Sequence, residues 1–314
     1  MDSLLFSLNA TAPIFAVIFI SYLLRRRGVL PDAFLQGADR FTFRVLLPVL
    51  LFRDIAGGRI SEQFDARFFV FCVAATTIMF AAIWLGAELF LKDRDSIGAF
   101  TQGAFRSSLA IFGIAFAQNI YGDAGLVPLM IVAVVPLFNI FSVIVLTVRA
   151  PDRAHGAGAM RMCVRGILTN PLILGIVLGV PFAVFQIDFP PIAESTLNYF
   201  AAMASPLALV TIGGGFEGTK ALHKLRPTFD ASAIKLLVLP AVFLSAGYAL
   251  GFRDQALVAL LVMLGTPSTV TCYLMCKNMG GDHVLSSSII VVTTAFSAVT
   301  LTAFLYILRA TGAI

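Results

Sequence analysis

Two short polar stretches interrupt long apolar runs in this chain, and their residue types suit the holding of an anion. One is Gly265-Thr266-Pro267-Ser268-Thr269, inside the otherwise apolar run from Leu261 to Lys277. Pro267 cannot donate to the preceding turn, so upstream carbonyls lose their partners, while Thr266 and Pro267 fit the N-cap and N1 positions of a fresh half-helix. In hydrocarbon each unpaired backbone group costs several kcal/mol, so a break of this kind is expected to be buried in protein or to line a watery cavity. The other stretch is Phe105-Arg106-Ser107-Ser108-Leu109, followed by Gly113. Ser108 is expected to cap a half-helix beginning at Leu109, as Thr266 caps one beginning at Pro267. Two helix N-termini, each carrying roughly half an elementary positive charge, then converge with exposed N–H groups, which suits a carboxylate. Arg106 lies about nine residues, or ~13 Å of helix, into its run. An ionisable side chain at that depth is a functional candidate, with snorkelling or pairing to Glu88 as the alternatives.

Around these two stretches stand weaker candidates. Pro48 and Pro206 lie within apolar runs and are expected to bend their helices around the crossing. Tyr273, Asn9, Asn139 and Asn170 are polar groups in apolar surroundings that could line a cavity, though interhelical hydrogen bonding is the commoner role of a membrane asparagine. Lys235 sits six residues into its span, ahead of Pro240, where snorkelling to the headgroups is the favoured reading and substrate binding the other. No cofactor or metal set is expected. Cys72, Cys163, Cys272 and Cys276 have no ligand spacing and read as small apolar fillers. Residues 261–277 hold no Asp, Glu, Asn or Gln, which argues against dedicated sodium ligands. An intramembrane enzyme would need a nucleophile and base at depth, whereas His155, His223 and His283 fall in loops.

The elements that must position these residues follow from composition. The chain is 59% hydrophobic and 12% charged, with a mean hydropathy of +0.94. It is therefore expected to be an all-α polytopic membrane protein in contact with lipid, with no room for a soluble catalytic domain. The net charge of +5 is carried in short loops and is no nucleic-acid signal. At about 20 apolar residues per span, ten helices are expected: 4–24, 39–56, 66–90, 97–121, 126–148, 166–186, 191–215, 229–251, 254–277 and 283–309. Basic residues alternate with the loops. Arg25, Arg26, Arg27, Arg40, Lys92, Arg94, Arg149, Arg153, Arg161, Arg165, Lys220, Lys224, Arg226 and Lys277 fall on one side, against Arg59, Arg67, Arg253 and Arg309 on the other. By the positive-inside rule both termini face outward.

The punctuating residues recur at one offset. Pro13 to Pro171, Pro48 to Pro206 and Gly122 to Gly280 are each separated by 158 positions (171 − 13, 206 − 48 and 280 − 122), and the same step carries Thr266 back to Ser108. The chain thus divides into a five-helix repeat over 1–150, a cytoplasmic linker over 151–165 and a second five-helix repeat over 166–314. An odd number of spans inverts the second copy, as in secondary transporters.

Taken together, Leu46-Leu47-Pro48, Phe105-Arg106-Ser107, Tyr121-Gly122-Asp123, Asn170-Pro171-Leu172, Ser205-Pro206-Leu207-Ala208-Leu209 with Gly213-Gly214, Lys235-Leu236-Leu237-Val238-Leu239-Pro240 and Thr266-Pro267 resemble the bacterial branch of the auxin efflux carrier family. The resemblance covers essentially the whole chain. It implies crossed fourth and ninth helices in a transport domain, a scaffold of helices one, two, six and seven, a homodimer in the bacterial inner membrane, and a small organic anion such as malonate or an auxin-like acid as substrate. The chain departs from the family pattern at Ser108, where Asn is common, and at Gly113-Ile114, where Pro often follows the glycine. Two other readings stay open: a sodium-coupled carrier like the bile acid symporters, and a membrane receptor that does not transport.

Overall fold

The computed structural model describes residues 2–57, 64–122, 125–149 and 164–314, and among these every regular element is helical. The expected linker lies outside the described residues except for its last two positions, as does the side chain of Asn9. The first half runs through α1 (Asp2–Arg26), α2 (Asp32–Phe41), a π turn (Thr42–Leu46), α3 (Leu47–Ala56) and α4 (Ala66–Phe90). It continues through α5 (Ile97–Phe105), α6 (Leu109–Tyr121) and α7 (Val127–Val148). The second half has α8 (Pro171–Phe185), α9 (Pro191–Gly214), a short α10 (Gly218–Leu222) and α11 (Leu225–Ala233). A π turn (Ile234–Val238) leads from α11 into α12 (Leu239–Ala249), followed by α13 (Asp254–Gly265), α14 (Thr271–Met279) and α15 (His283–Ala310).

Five helical stretches among the described residues are long and apolar enough to cross a membrane: Ala66–Phe90, Val127–Val148, Pro191–Gly214, Leu225–Ala249 and His283–Ala310. Leu89, Phe90, Phe185 and Ile192 stand exposed on the outside, an arrangement suited to lipid and a liability in water. Two helices begin earlier than their hydropathy suggests. α2 starts at Asp32 rather than 39, because its amphipathic first turns bury Leu35, Ala38 and Asp39 while exposing the rest; α11 starts at Leu225 rather than 229 for the same reason.

Local chemistry sets the helix ends. Asp65, Asn170 and Asp282 are N-caps whose side chains accept from the N–H groups of Phe68, Leu172 and Leu285. Gly122 and Gly280 end α6 and α14 in the left-handed region, at φ +82° and +77°, and they are the pair 158 positions apart. The two π turns each lie just ahead of a proline, Pro48 and Pro240. A proline ring collides with the carbonyl four residues back, and opening one turn to the wider π spacing relieves it. The other two offset pairs differ in local role. Pro13 lies inside α1 whereas Pro171 opens α8, and Pro48 follows a π turn whereas Pro206 lies within α9.

Close backbone approach fixes how the helices pack. A Cβ at Gly175 of α8 would stand 2.4 Å from the Pro48 carbonyl oxygen of α3, and one at Gly213 of α9 would stand 2.2 Å from the Ile18 carbonyl oxygen of α1. Small residues let membrane helices meet at this range. Thus α1, α3, α8 and α9 pack together, α4 to α7 pack with α11 to α15 around the two broken helices, and α1 also packs against α15.

Candidate functional site

The breaks at 106–108 and 266–270 lie against each other. The Ser108 N–H donates to the Pro267 carbonyl at 2.9 Å, the Ser107 hydroxyl donates to the Met263 carbonyl, and Gln102 Nε2 donates to the Cys272 carbonyl at 3.0 Å and approaches Cys276 Sγ at 2.7 Å. The two helices therefore cross at their broken middles, and each satisfies backbone groups that the other leaves open.

The second break differs in detail from the sequence expectation. Thr266 is extended (ψ 153°) and follows the end of α13; its hydroxyl donates back to the Val262 carbonyl at 2.8 Å. It caps nothing downstream. α14 starts at Thr271, not Pro267, because the residue before a proline is pushed out of the helical region and the chain needs Ser268 and Thr269 to turn before a helix resumes. The Ser268 N–H donates to Thr293 Oγ1 at 3.1 Å. Ser108 does hold the position before α6, but its side chain makes no capping bond.

A cavity of about 60 Å³ opens at the crossing, with Arg106, Ser107, Ser108, Leu109, Thr269, Val270 and Thr271 in its wall. Both half-helix N-termini, those of α6 and α14, therefore face the same space. Its other side is formed by Leu47, Leu50, Leu51 and Asp54 of α3, by Asn139 of α7 and by Ser205 of α9. Arg53 holds Asp54 in an ion pair at 2.6 Å, so that this carboxylate adds no uncompensated negative charge.

Arg106 is 3% exposed. Its Nη1 donates to Ser142 Oγ and Met275 Sδ, each at 2.9 Å, and its Nη2 donates to Asn139 Oδ1 at 3.2 Å. The Nε–H is buried without a protein partner, and among the described residues no carboxylate pairs with Arg106. Glu88, the partner considered from sequence, is taken up by Arg94 at 3.1 Å, by Arg149 and by Trp84 Nε1 at 2.9 Å. A guanidinium has five N–H groups. The protein engages Nη1 and Nη2 and leaves the Nε edge, the one that can take a carboxylate side-on.

Lys235 does not snorkel. It is 0% exposed, and its ammonium donates to Ser107 Oγ at 2.5 Å and to the Leu264 carbonyl at 2.7 Å. The π turn over Ile234–Val238 shifts the helix register by one residue and delivers this side chain to the crossing.

The remaining candidates scatter. Gly113 is a packing glycine: a Cβ there would stand 3.2 Å from Val127 and 3.6 Å from Val262. Pro206 is exposed on α9, and Pro48 packs against α8. Asn170 caps α8. Tyr273 is buried between the crossing and a second cavity of about 510 Å³, where Arg25, Asp39, Thr211, Glu217 and Lys277 also stand. Its hydroxyl accepts from Lys277 Nζ at 3.3 Å and lies 3.5 Å from the Thr211 carbonyl. Sequence reading passed over Gln102, Ser142, Met275 and Thr271. A signal existed for one of them, since Asn139 and Ser142 stand at i, i+3 on one face of an apolar helix.

The chain matches the model of the family described as "membrane transport protein" over residues 6–305. It is 25% identical over 310 residues to a Rhizobium meliloti protein named "Putative malonate transporter", covering 95% of this chain and 94% of that one. It is 22% identical over 298 residues to an "Uncharacterized transporter" of Methanothermobacter thermautotrophicus, covering 94% and 96%.

Proposed function

The chain belongs to the membrane transport protein family, that of the auxin efflux carriers, and from that premise we propose that it is a secondary transporter that carries a small organic anion, of the malonate class, across the bacterial cell membrane by alternating access. The observation that carries this reading is Arg106, a buried guanidinium with an unpartnered Nε–H and no carboxylate partner among the described residues. A charge kept out of water without a counter-ion costs several kcal/mol. An anionic substrate relieves that cost on arrival, and the α6 and α14 N-termini in the same cavity wall add to the attraction.

In this reading Arg106, Ser107, Ser108 and Thr269 contact the substrate, with Asn139 and Ser142 holding the arginine. Thr266, Pro267 and Ser268 shape the break, Tyr273 closes the crossing toward the larger cavity, and Pro48 and Pro206 shape the helices that flank it. The chain crosses the membrane ten times as two inverted five-helix repeats, which the matching left-handed glycines 122 and 280 support. Both termini then face outward, the loops rich in Arg and Lys face the cytoplasm, and two copies pair through the group formed by α1, α3, α8 and α9.

The test is reconstitution into vesicles with malonate and a panel of other carboxylates offered under imposed pH and sodium gradients. Saturable flux of a small carboxylate is expected. Absence of flux and of binding for every carboxylate tried would overturn the assignment.

A further inference from the structure

Lys235 occupies a place that the anion site itself does not explain. The first half-helices, α5 and α13, end at the crossing with Phe105 and Gly265, and helix C-termini leave carbonyl oxygens unpaired. At α13 the carbonyls are met one by one: Val262 by Thr266, Met263 by Ser107 and Leu264 by Lys235. Lys235 also donates to Ser107 Oγ, so one ammonium closes a chain that runs from Lys235 through Ser107 to Met263 and ties the start of one break to the end of the opposite half-helix. Each helix C-terminus carries roughly half a negative charge. The ammonium bonds directly to the end of α13 and, through the Ser107 hydroxyl, stands beside the break that follows α5. No ion pair among the described residues involves Lys235. The oxygens that meet the ammonium, the Leu264 carbonyl and the Ser107 hydroxyl, are of the kind a hard inorganic cation would also seek.

We propose that Lys235 is a tethered cation: its ammonium fills the end of α13 beside the break that follows α5, taking the position of a coupling metal ion, so that the protein holds and moves its anion without sodium. The inference rests on the transport reading only in its last clause. The electrostatic part stands on the crossing alone and can be tested without substrate. Two buried cations then divide the work. Lys235 neutralises the negative end of α13 on one side of the crossing, and Arg106 is left to meet the incoming anion on the other.

The experiment uses full-length protein in lipid nanodiscs and follows thermal unfolding of wild type, Lys235→Ala and Lys235→Met in choline chloride, sodium chloride or n-propylammonium chloride at equal ionic strength, with n-propanol as the neutral control. Wild type is expected to melt at the same temperature in all three salts. Lys235→Ala should melt lower and recover part of the loss in propylammonium but not in propanol, because only a charged occupant restores the balance. Lys235→Met, which fills the space without the charge, should stay low in every salt and bind malonate about tenfold more weakly, as the uncompensated helix end repels an anion. The proposal is overturned if Lys235→Met matches wild type, if propanol rescues Lys235→Ala as well as propylammonium does, or if wild type needs sodium to bind or carry malonate. Should neither variant fold, this last measurement on wild type still decides. Failure of wild type to bind any carboxylate would count against the transport assignment and leave the melting comparison standing.

Discussion

Replacing Arg106 with alanine removes a buried charge that has no carboxylate partner among the described residues and borders the cavity. The structure sets the size of the effect. Truncating one partner of a buried charge pair costs about 2–5 kcal/mol, and the lower end applies here because the cavity of about 60 Å³ beside Arg106 has room for several waters, at roughly 10–15 Å³ each, to solvate the abandoned carboxylate. A loss of about 2–3 kcal/mol corresponds to roughly a 30- to 150-fold rise in Kd. Arg106→Lys should recover only part, since an ammonium cannot engage a carboxylate through two parallel N–H groups and does not span Ser142 and Asn139 together. The assay is calorimetric titration of malonate into protein in nanodiscs, with melting curves run alongside, because Ser142 and Asn139 lose their donor in the alanine variant. If Arg106→Ala melts as wild type does and binds malonate with unchanged affinity, Arg106 is a packing residue and the anion-site reasoning fails.

Three other outcomes follow from separate parts of the molecule. Gly213→Ala drives a Cβ to 2.2 Å from the Ile18 carbonyl oxygen; backbone cannot yield as a flexible side chain can, so a loss of about 1–3 kcal/mol is expected, read as a lower melting temperature, and an unchanged one would refute the close α1–α9 approach. Lys224 joins three segments by donating to Asp93 at 2.5 Å, Asp282 at 2.9 Å and Ser96 at 2.9 Å. The bond from Lys224 holds the Asp93 carboxyl below its ordinary 3.8 against modest burial. At Asp282 burial works the other way but is outweighed by the Leu285 N–H, Lys224 and Ser96, and the net shift is again downward. Both carboxyls therefore contribute stability that is present above pH 3.8 and is lost as pH falls below it toward their folded values; Lys224→Met should flatten that acid-side decline in melting temperature, and an unaltered profile would show that the cluster contributes nothing. For orientation, a cysteine introduced by Ala157→Cys should react with an impermeant maleimide only after the inner face is made accessible, and labelling of intact cells from outside would reverse the assigned topology.

Much of this was legible in the sequence because apolar runs and prolines are local signals. The helical character of the apolar runs, the breaks at 106–108 and near 266 and the burial of Arg106 all follow from residues within one helix of each other. What was not legible depends on contacts between distant segments. Lys235 reads as a snorkelling lysine in a straight helix, and only the π turn ahead of Pro240 aims it at Ser107 and Leu264. Thr266 reads as an N-cap because the sequence Thr-Pro fits one, yet its hydroxyl finds the Val262 carbonyl behind it and the helix restarts four residues after Pro267. Pro48 and Pro206 match in offset and chemistry, but one packs on α8 while the other faces outward. An offset records common spacing and does not fix which way a side chain points.

The charges around the cavity also bear on which anion fits. Arg106 contributes one positive charge, and the N-termini of α6 and α14 contribute about half a charge each. Asp54 and Arg53 cancel, and Lys235 is spent on the end of α13. The wall thus presents about two positive charges to its contents. A dianion balances them, whereas a monoanion leaves roughly one unmet. Since a charge near a helix end contributes about 0.3–1 kcal/mol, and up to ~2 when partly buried, a second carboxylate should improve binding by about tenfold. Competition between malonate and its monomethyl ester measures this, because the ester keeps the carbon skeleton and one carboxylate while removing the second charge. Malonate is expected to bind about tenfold more tightly near neutral pH, and the gap should close as pH falls far enough to protonate one malonate carboxyl. Equal affinity across the pH range would mean that the second helix N-terminus does not contribute, leaving Arg106 as the sole determinant of charge recognition.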